Sequence, residues 1–460
     1  MSPAPATTVT APRPIVSMVP PRADVTTPAV VLKFDQNVMH HGGLGAIRSL
    51  GRLGVPVYAV QESAWAPAAH SRYLHEKVLW RPGGLPASQV QAGLLRLAEL
   101  IGRPAVLIPT DDAGAIFLAE HGEALRGRFL FAAPPASLPR QLAAKQSLHA
   151  LCADLGFPSP RSCVASCFDE AERAAAGYGY PVMGKLPMPW QCSLSRAGSG
   201  QLSTQILRDR GDLEGAWLAA QSGRTGLMLQ EYIPAPPGHD WFFHGYVTAG
   251  GDCRPAGTGV KDRSYPPRAG LTSFGRCVPN PALRSTVTDL LSRLSYRGIA
   301  DLDLRLDHRD GQYKLLDFNP RLGAQFRLFT TPAGLDVVRA AYLDLTGQPV
   351  PRSEPAPGRT FMVESYDPLS AISYWRRGEL GLRSWLSATT TVDETAWFAR
   401  DDLRPFELMC LRMGWRALTR PLEHARAAQY DETDGALADG AAWPRVRRGR
   451  RNRSTPSQLR

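Results

Sequence analysis

The sequence predicts an α/β protein, because short apolar strand patterns alternate with amphipathic helix patterns along most of the chain. The first observation is the apolar run AVVLKF at residues 29–34, which leads through a glycine-rich turn into a helix pattern and the strand VPVYAV. The second is the stretch at residues 300–321, in which leucines alternate with charged residues before a polar turn and a second strand. Together they predict a doubly wound sheet followed by a domain that contains a β-hairpin.

The length and composition suit an enzyme with two or three domains, since 460 residues with 43% hydrophobic content can bury several cores. The formal net charge of +11 would fit a nucleic-acid partner. However, residues 445–460 hold seven arginines and no acidic residue, which leaves +4 for the rest of the chain. A nucleic-acid-binding protein that uses this tail is kept as an alternative, and only weak binding through the tail is expected.

The seven cysteines favour a reducing compartment, because they show neither a zinc spacing nor a disulfide framework. No run is long and apolar enough to span a membrane, and residues 1–28 lack the apolar core of a signal peptide. We therefore expect a cytoplasmic protein in which the Pro-, Ala- and Thr-rich residues 1–28 form a disordered tail.

The first predicted domain covers residues 29–139. Its glycine-rich turn, HHGGLG, lacks a full Gly-x-Gly-x-x-Gly pattern, which leaves a nucleotide contact and a plain tight turn both open. The paired histidines of this turn favour a loop over a metal site. The strand AVLIP, a helix capped by Thr110-Asp111-Asp112 and the strand FLFAA continue the alternation of strands and helices.

The predicted hairpin places acidic side chains on one strand face. Along its first strand, leucines alternate with the polar residues Asp301, Asp303, Arg305 and Asp307. A turn centred near Asp310 puts Asp303 opposite Asp317. The same register puts Asp301 opposite Asn319. Carboxylate and amide oxygens in this arrangement suit a hard cation such as Mg²⁺, although a solvated strand face would show the same pattern.

The end of the hairpin, Asp317-Phe318-Asn319-Pro320-Arg321, resembles the metal-binding (Glu/Asp)-x-Asn-Pro-Arg ending of the ATP-grasp ligases. By this resemblance, Asp317, Asn319 and Asp303 hold Mg²⁺ on the phosphates of ATP, with a pair of ions expected and Mn²⁺ as an alternative. It also implies a catalytic role for Arg321 beside the phosphates or the acyl group. Asp317 stands where Glu is more usual, which shortens the reach of the carboxylate by a methylene.

Two lysines lie in contexts that resemble the ATP-contacting lysines of the same family. Lys145 opens the helix pattern KQSLHALCADLGFPSP, where a solvated surface lysine is the alternative. Lys185 ends the apolar strand GYPVMGKLP, where a cation needs a partner such as phosphate or must extend to water. The resemblance gives Lys185 a catalytic role in addition to its contacts with ATP.

The loop at residues 188–200 is the predicted flexible cover of the phosphates. Backbone amides of Gly198, Ser199 and Gly200 could cradle phosphate oxygens. The alternative is an exposed loop in which no single contact matters. The segment lacks Gly-Lys-Ser/Thr at the start of a helix, which excludes a P-loop NTPase.

The segment GLMLQEYI and the strand WFFHGYV resemble the adenine hinge of the family. The expected adenine contacts are backbone groups of Gln230, Glu231, Tyr232 and Ile233. Asp240 is the expected ribose ligand, with an ordinary turn aspartate as the alternative.

Lys261 and Arg263 alternate in the predicted strand GVKDRSY, so both are expected on one strand face. There Lys261 would contact ATP, and Arg263 would have a catalytic role in stabilising the transferring phosphoryl group. A plain surface strand is the alternative.

The segments YRGIADLDLRLD, DFNPR and SYDPLSAISYW together resemble the carboxylate–amine ligase branch that includes D-aspartate ligases. The resemblance implies an ATP-grasp fold with a doubly wound, Rossmann-like pre-ATP-grasp domain (29–139), an ATP-grasp domain (140–350) made of an ATP subdomain (140–232) and a C-terminal lobe (233–350), a small C-terminal extension (351–420), and a mostly disordered Arg-rich tail (421–460).

The implied function is that of an ATP-dependent ligase. ATP phosphorylates a substrate carboxylate, an amine attacks the acyl phosphate to form an amide or peptide bond, and ADP and phosphate leave. The expected substrates are small carboxylate and amine compounds such as amino acids or peptides. A non-catalytic ATP-binding regulator of the same fold is the alternative, and the sequence does not decide between a monomer and a homo-oligomer.

Overall fold

The computed structural model describes most of the chain, namely residues 23–188, 190, 204–222, 226–234, 236–267, 270–427 and 445–446. The described residues form three β-sheets. None of the described helices combines the length and the apolar character that a membrane-spanning segment requires.

The first sheet is built from parallel strands. Its elements are β1 (Ala29–Leu32), α1 (His41–Gly51), β2 (Val57–Gln61), β3 (Glu76–Leu79), α2 (Ala87–Ile101), β4 (Ala105–Pro109), α3 (Asp112–His121) and β5 (Phe129–Leu130). The strands pair in the order β3-β2-β1-β4-β5. Ala29 and Val31 pack with α1, whereas Val30 and Leu32 pack with α2 and α3. Helices therefore cover both faces, and the predicted doubly wound sheet is confirmed.

The glycine-rich turn after β1 starts a tightly packed helix. The His40 side chain accepts a hydrogen bond from the backbone N–H of Gly43 and so caps α1. A Cβ on Gly45 would lie 2.8 Å from the ring of Phe326, which explains the glycine by close packing. The glycines that the sequence placed in a turn lie within the first turns of α1, so close helix packing and not a tight turn accounts for Gly45.

The second sheet is antiparallel and has four strands. Its elements are α4 (Leu138–Ala143), α5 (Lys145–Asp154), β6 (Ser162–Ala165), α6 (Phe168–Tyr178), β7 (Val182–Lys185), β8 (Thr204–Leu207), α7 (Arg210–Ser222) and β9 (Leu227–Glu231). The strand order is β6-β9-β7-β8. Val182 and Leu229 point into a core with α6 and α7. Because side chains alternate along a strand, Met183, Lys185 and Gln230 point to the opposite face.

The third sheet has seven strands in the order β14-β13-β10-β11-β12-β15-β16. The remaining elements are β10 (Asp240–Val247), β11 (Cys253–Tyr265), β12 (Leu271–Cys277), α8 (Pro281–Arg293), β13 (Gly298–Asp307), β14 (Gln312–Asn319), α9 (Val337–Leu345), β15 (Thr360–Met362), α10 (Asp367–Arg376), α11 (Leu382–Thr390), β16 (Glu394–Thr395), α12 (Arg404–Ala427) and β17 (Arg445–Val446). Strands β15 and β16 come from the predicted C-terminal extension, yet they extend the edge of this sheet.

The two ends of the chain differ from the predicted tails. The Tyr342 hydroxyl donates a hydrogen bond to the carbonyl of Thr27 (2.8 Å), and the backbone N–H of Asp24 donates to Gln348 Oε1 (2.7 Å). The described residues before 29 are therefore held by partners that are too distant in the sequence for local composition to reveal. Helix α12 likewise passes residue 420, and β17 pairs with β3, while the rest of the Arg-rich tail lies outside the described residues.

The register of the β13–β14 hairpin is as the sequence predicted. Asp301 pairs with Asn319, and Asp303 pairs with Asp317. The acidic and amide side chains of both strands therefore meet at the end of the hairpin that is farthest from the turn.

A β-bulge at Leu316 makes this register possible. Nearer to the turn, Leu304 pairs with Leu315 and Asp307 pairs with Gln312, so the turn is centred slightly before the position that the sequence indicated. The extra residue at the bulge shifts the pairing by one and restores the expected partners beyond it.

Candidate active site

A cleft with a cavity volume of about 90 Å³ opens between the four-stranded and the seven-stranded sheets. Strands β7, β8 and β9 form one wall, and β10, β11, β13 and β14 form the other. Its lining includes the predicted site residues Lys185, Gln230, Glu231, Ile233, Asp240, Lys261, Asp303 and Asp317. The fold therefore brings together residues that are far apart in the sequence.

The two opposed carboxylates of the hairpin each have a lysine partner. Lys261 Nζ lies 2.7 Å from Asp303 Oδ1, and Lys145 forms an ion pair with Asp317. Asp303 and Asp317 face each other across the strands, and like charges in that arrangement repel. The lysines compensate for that repulsion, and they place two ammonium groups beside the predicted metal ligands.

Lys185 lies buried in the cleft, where its ammonium donates a hydrogen bond to the carbonyl of Leu316 (3.3 Å). Burial, together with the positive charges of Lys145 and Arg305, lowers the pKa of Lys185 to about 7. Burial also lowers the pKa of Lys145 to about 8, against the opposing effect of the Asp112 carboxylate. An anionic ligand such as phosphate would stabilise both ammonium groups.

The end of the cleft away from the hairpin carboxylates contains the predicted nucleoside contacts. Arg305 donates hydrogen bonds to the Asp240 carboxylate (2.6 Å) and to the carbonyl of Ile233 (3.0 Å). Arg305 therefore ties the segment after β9 to the seven-stranded sheet. Its charge also neutralises Asp240, whose carboxylate still lines the cleft.

Glu231 and its neighbours differ in what they offer to a ligand. The Glu231 carboxylate is engaged by Arg161 (3.0 Å) and Arg309 (2.9 Å), so this side chain has a structural role. Tyr232, which was predicted among the adenine contacts, is not one of the residues that line the described cleft. The Gln230 side chain is hydrogen-bonded to the ring of His149 (2.7 Å).

His149 is a buried, neutral link between α5 and β9. Burial, with the positive charges of Lys185 and Lys145, lowers the pKa of its ring to about 3. A neutral ring can exchange one hydrogen bond with Gln230 without adding a positive charge to the two lysines. The link holds α5, which begins with Lys145, against β9.

Arg321 lies at the junction between the hairpin and the first domain. Its guanidinium pairs with Asp301 (3.3 Å) and with Asp112 (3.2 Å), the first residue of α3. It also donates to the side-chain oxygen of Asn319 (3.0 Å). Arg321 therefore contacts one predicted metal ligand directly and faces the carboxyl edge of the first sheet, where α/β folds bind ligands.

Arg263 is not among the residues that line the cleft, and the prediction that it shares a strand face with Lys261 is wrong. The pairing of β11 with β12 shifts by one residue at Asp262, and this bulge reverses the alternation of side chains. The Arg263 guanidinium is instead buried against Asp367 and donates to both carboxylate oxygens (2.9 and 3.0 Å). It also stacks on Phe274 at 4.3 Å. Arg263 therefore packs against Asp367 and Phe274, and its catalytic role stays a prediction.

The predicted phosphate-covering residues Gly198, Ser199 and Gly200 lie outside the described residues. Thr204, at the start of β8, is the nearest residue after them that lines the cleft. Sequence reasoning had not assigned a role to it.

Arg305 and His149 are the site residues that sequence reasoning missed. The alternation had placed Arg305 on the same strand face as Asp303, but sequence reasoning gave it no role in the cleft. His149 gave no such signal, because its role depends on contact with a strand from another part of the chain.

The hairpin oxygens fit a metal ion that shares its coordination with phosphate. Within the part of the chain that the structure describes, no group of three or more His, Cys, Asp and Glu side chains is arranged to hold a metal by itself. Asp303, Asp317 and Asn319 provide two carboxylates and an amide oxygen on paired strands. Mg²⁺ is commonly held by one or two carboxylates together with phosphate oxygens and water. The pairing of both carboxylates with lysines shows that this place attracts positive charge.

The chain is similar in sequence to known enzymes, although no family model matches it. It is 24% identical over 328 residues to a D-aspartate ligase of Enterococcus faecium, an alignment that covers 67% of this chain and 74% of the relative. It is 29% identical over 188 residues to a formate-dependent phosphoribosylglycinamide formyltransferase of Synechococcus elongatus, covering 40% of this chain and 43% of that protein.

Solved structures show the same fold. The N5-carboxyaminoimidazole synthetase of Staphylococcus aureus aligns with a TM-score of 0.54 at 11% identity and covers 77% of this chain and 87% of its own. The biotin carboxylase domain of the Hydrogenobacter thermophilus 2-oxoglutarate carboxylase, in complex with MgADP and bicarbonate, aligns with a TM-score of 0.52 at 19% identity. That alignment covers 73% of this chain and 74% of the domain. The predicted ATP-grasp fold is confirmed, and the chain is similar in sequence to a D-aspartate ligase.

Proposed function

We propose that this chain, an ATP-grasp protein similar in sequence to a D-aspartate ligase, is an ATP-dependent ligase that joins a carboxylate to an amine through an acyl phosphate. The observation that carries the proposal is the cleft between the two sheets. There, Lys145, Lys185 and Lys261 surround the paired carboxylates of Asp303 and Asp317. Cations that surround two carboxylates on paired strands can bind both a polyphosphate and its metal ion.

The lysines bind and orient the phosphates in this proposal. Lys145 and Lys261 exchange their carboxylate partners for phosphate oxygens, and Lys185 adds a buried positive charge between them. None of these side chains needs to act as a nucleophile, because transfer of a phosphoryl group depends on alignment and on neutralisation of charge.

The metal ligands in this proposal are Asp303, Asp317 and Asn319, whose oxygens lie on paired strands. When bound there, Mg²⁺ supplies charge neutralisation to the phosphates, and Mn²⁺ is the alternative ion. We further propose that the site binds a pair of ions, as the resemblance to the ATP-grasp ligases implies.

At the nucleoside end, the proposed adenine contacts are backbone groups around Gln230, Glu231 and Ile233, and the proposed ribose ligand is Asp240. Arg321 is proposed to stabilise the acyl phosphate, because it reaches from the hairpin towards the first domain. The first domain then forms the wall against which the carboxylate and the amine meet.

The proposed substrates are small carboxylate and amine compounds, with an amino acid or a short peptide as the first choice. The similarity to a D-aspartate ligase supports this choice. A cytoplasmic location is proposed as well, supported by the six free cysteines among the described residues. The proposal covers a monomer and a homo-oligomer equally.

The decisive experiment measures ADP release from Mg²⁺-ATP in a matrix of amino acids and short peptides. A ligase releases ADP in amounts equal to the amide product and only when a matching carboxylate and amine are both present. A non-catalytic regulator of the same fold binds ATP and shows no turnover with any pair. Product detection by mass spectrometry excludes a simple ATPase, and ADP release without an amide product would contradict the proposal.

A further inference from the structure

A buried histidine–aspartate pair lies directly behind the predicted metal ligand Asn319. His244 on β10 pairs across the sheet with Asp301 on β13, and Asp301 pairs with Asn319 on β14. His244 Nε2 lies 3.0 Å from Asp301 Oδ1, with the two side chains 0% and 8% exposed. The three residues thus form a row across three neighbouring strands that ends at Asn319, two residues beyond Asp317 of the cleft.

The pair also has a fixed geometry. The His244 ring lies 5.0 Å from the ring of Phe329 and 5.9 Å from that of Phe242. A Cβ on Gly323 would overlap both the His244 ring and the Asp301 carboxylate. Only a glycine therefore allows the chain after Arg321 to close over the pair, which links the motif loop to this buried contact.

The second oxygen of Asp301 points toward the site. Asp301 Oδ2 accepts a hydrogen bond from Asn319 Nδ2 (3.1 Å) and another from Arg321 Nη1 (3.3 Å). An asparagine amide can coordinate a metal only through its oxygen, so the direction of the amide decides whether it is a ligand. Because Asp301 accepts from the nitrogen, it holds the oxygen of Asn319 on the side away from itself, where it now meets Arg321 Nη2 (3.0 Å).

We infer that Asp301, held in place by His244, is a positioning residue that orients the Asn319 amide and the Arg321 guanidinium for the metal-bound phosphates. This inference rests on the proposed function, because it assumes that Asn319 coordinates the metal. Asp301 is not proposed as a ligand, because its side chain is 8% exposed, whereas those of Asp303 and Asp317 are 30% and 27% exposed. Groups that orient metal ligands in this way commonly change metal affinity 10- to 100-fold when they are removed, roughly the effect expected here.

The test is a titration of Mn²⁺ into the protein with ADP, with free Mn²⁺ followed by electron paramagnetic resonance. For Asp301→Ala we expect about 10- to 100-fold weaker Mn²⁺ binding, with ADP affinity in the absence of metal changed less than about twofold. His244→Gln keeps a donor nitrogen for Asp301, so we expect a smaller loss in the same direction. Melting without metal establishes that each variant is folded.

The matched controls come from a contact between β10 and α9. The Tyr246 hydroxyl donates a hydrogen bond to Asp344 Oδ2 (2.7 Å), a contact of similar chemistry outside the cleft. Tyr246→Phe and Asp344→Ala should leave Mn²⁺ binding unchanged. A general weakening of the sheet would instead lower Mn²⁺ binding in the controls as well, and that result would overturn the inference.

The outcomes separate this inference from the proposed function. If the wild-type protein binds Mn²⁺ with ADP and the Asp301→Ala protein binds both equally well, Asp301 has no positioning role. The proposed function is then unaffected. Should Asp301→Ala fail to fold, Asp301→Asn and His244→Gln decide the question by the same titration. Wild-type protein without any metal-dependent ADP binding would overturn the proposed function and this inference together.

Discussion

The three lysines of the cleft differ in how their charge is balanced. Lys145 and Lys261 pair with carboxylates, whereas Lys185 donates a hydrogen bond to a backbone carbonyl. A carbonyl is a weaker partner for an ammonium group than a carboxylate. The pKa of buried Lys185 is therefore lowered further than that of buried Lys145. The protonation state of Lys185 near neutral pH should thus respond most strongly to a bound anion.

The first prediction concerns protons taken up on binding. With pKa values of about 7 for Lys185 and about 8 for Lys145, the first is mostly neutral and the second partly neutral at pH 8. Bound phosphate favours the ammonium form and raises both pKa values, so binding takes up protons, to a total of about one. Calorimetry of a non-hydrolysable ATP analogue with Mg²⁺ at pH 8, in buffers of different ionisation enthalpy, measures the uptake.

The uptake should fall strongly at pH 6, where both lysines are already protonated in the free protein. Lys185→Met should lose most of the uptake at pH 8. Proton release, or equal binding enthalpies in all buffers at pH 8, would show that the lysines are charged before the nucleotide arrives.

The second prediction concerns the contribution of Lys185 to affinity and turnover. Lys185→Ala should weaken ATP binding or turnover by roughly 10- to 100-fold, since a charged hydrogen bond contributes about 1.5–3 kcal/mol. Lys185→Arg should recover only part of the loss, because the guanidinium has a different shape from the ammonium. Lys314, which pairs with Asp310 near the hairpin turn, is the control, and Lys314→Ala should leave ATP kinetics unchanged. Unchanged kinetics in Lys185→Ala would mean that this lysine does not contact ATP.

At the scale of elements, strand alternation predicted the hairpin well and β11 poorly. The face shared by Asp301 and Asp303 follows from a period of two that continues without interruption along β13. In β11 the same reasoning fails at Asp262, because a bulge adds a residue that no local pattern marks. No local pattern marks the bulge at Leu316 either. It lies between the turn and the acidic pairs, and its extra residue offsets the error in the predicted centre of the turn.

The third prediction follows from the new position of Arg263. Arg263→Met leaves the buried carboxylate of Asp367 without its guanidinium, which should lower the free energy of unfolding by roughly 3–5 kcal/mol. The double variant Arg263→Met/Asp367→Leu should recover much of that loss. Chemical denaturation of both proteins gives the stabilities, and ADP binding to the folded fraction should stay close to that of the wild type. Loss of ADP binding from fully folded Arg263→Met would restore the catalytic role that the sequence suggested.

At the scale of the whole molecule, the segment after β16 connects the first domain to the seven-stranded sheet. Arg48 in α1 is fully buried and donates to the Asp402 carboxylate (2.9 Å) and to the carbonyl of Trp397 (2.7 Å). Ser71 donates to the same carboxylate (2.7 Å). These contacts join residues more than 300 positions apart, so no motif or periodicity could have revealed them.

This connection is relevant to the site because the first domain supplies Asp112, the partner of Arg321 at the edge of the cleft. The sequence identified the hairpin motif and the order of the domains, since both depend on local patterns. It could not show how the C-terminal extension fixes the first domain, since that depends on long-range ion pairs.

The fourth prediction compares two neighbouring aspartates of this segment. Asp402 is buried with Arg48, whereas Asp401 is 41% exposed and pairs with Arg52 (2.9 Å). Asp402→Ala removes the partner of a fully buried guanidinium and should lower the free energy of unfolding by roughly 3–5 kcal/mol. Asp401→Ala breaks a partly solvated pair and should lower it by no more than about 1 kcal/mol.

Denaturation followed by tryptophan fluorescence measures both variants, since Trp397 lies fully buried beside Arg48. If the extension holds the first domain in place, Asp402→Ala should also loosen the junction at Arg321. Turnover should then fall while ADP affinity in the cleft is kept, because the proposed nucleotide contacts lie within the other two sheets. Two results would contradict this expectation: equal destabilisation of the two variants, or turnover retained in a destabilised Asp402→Ala protein. The second would show that the contact between Asp402 and Arg48 stabilises the chain without positioning the first domain.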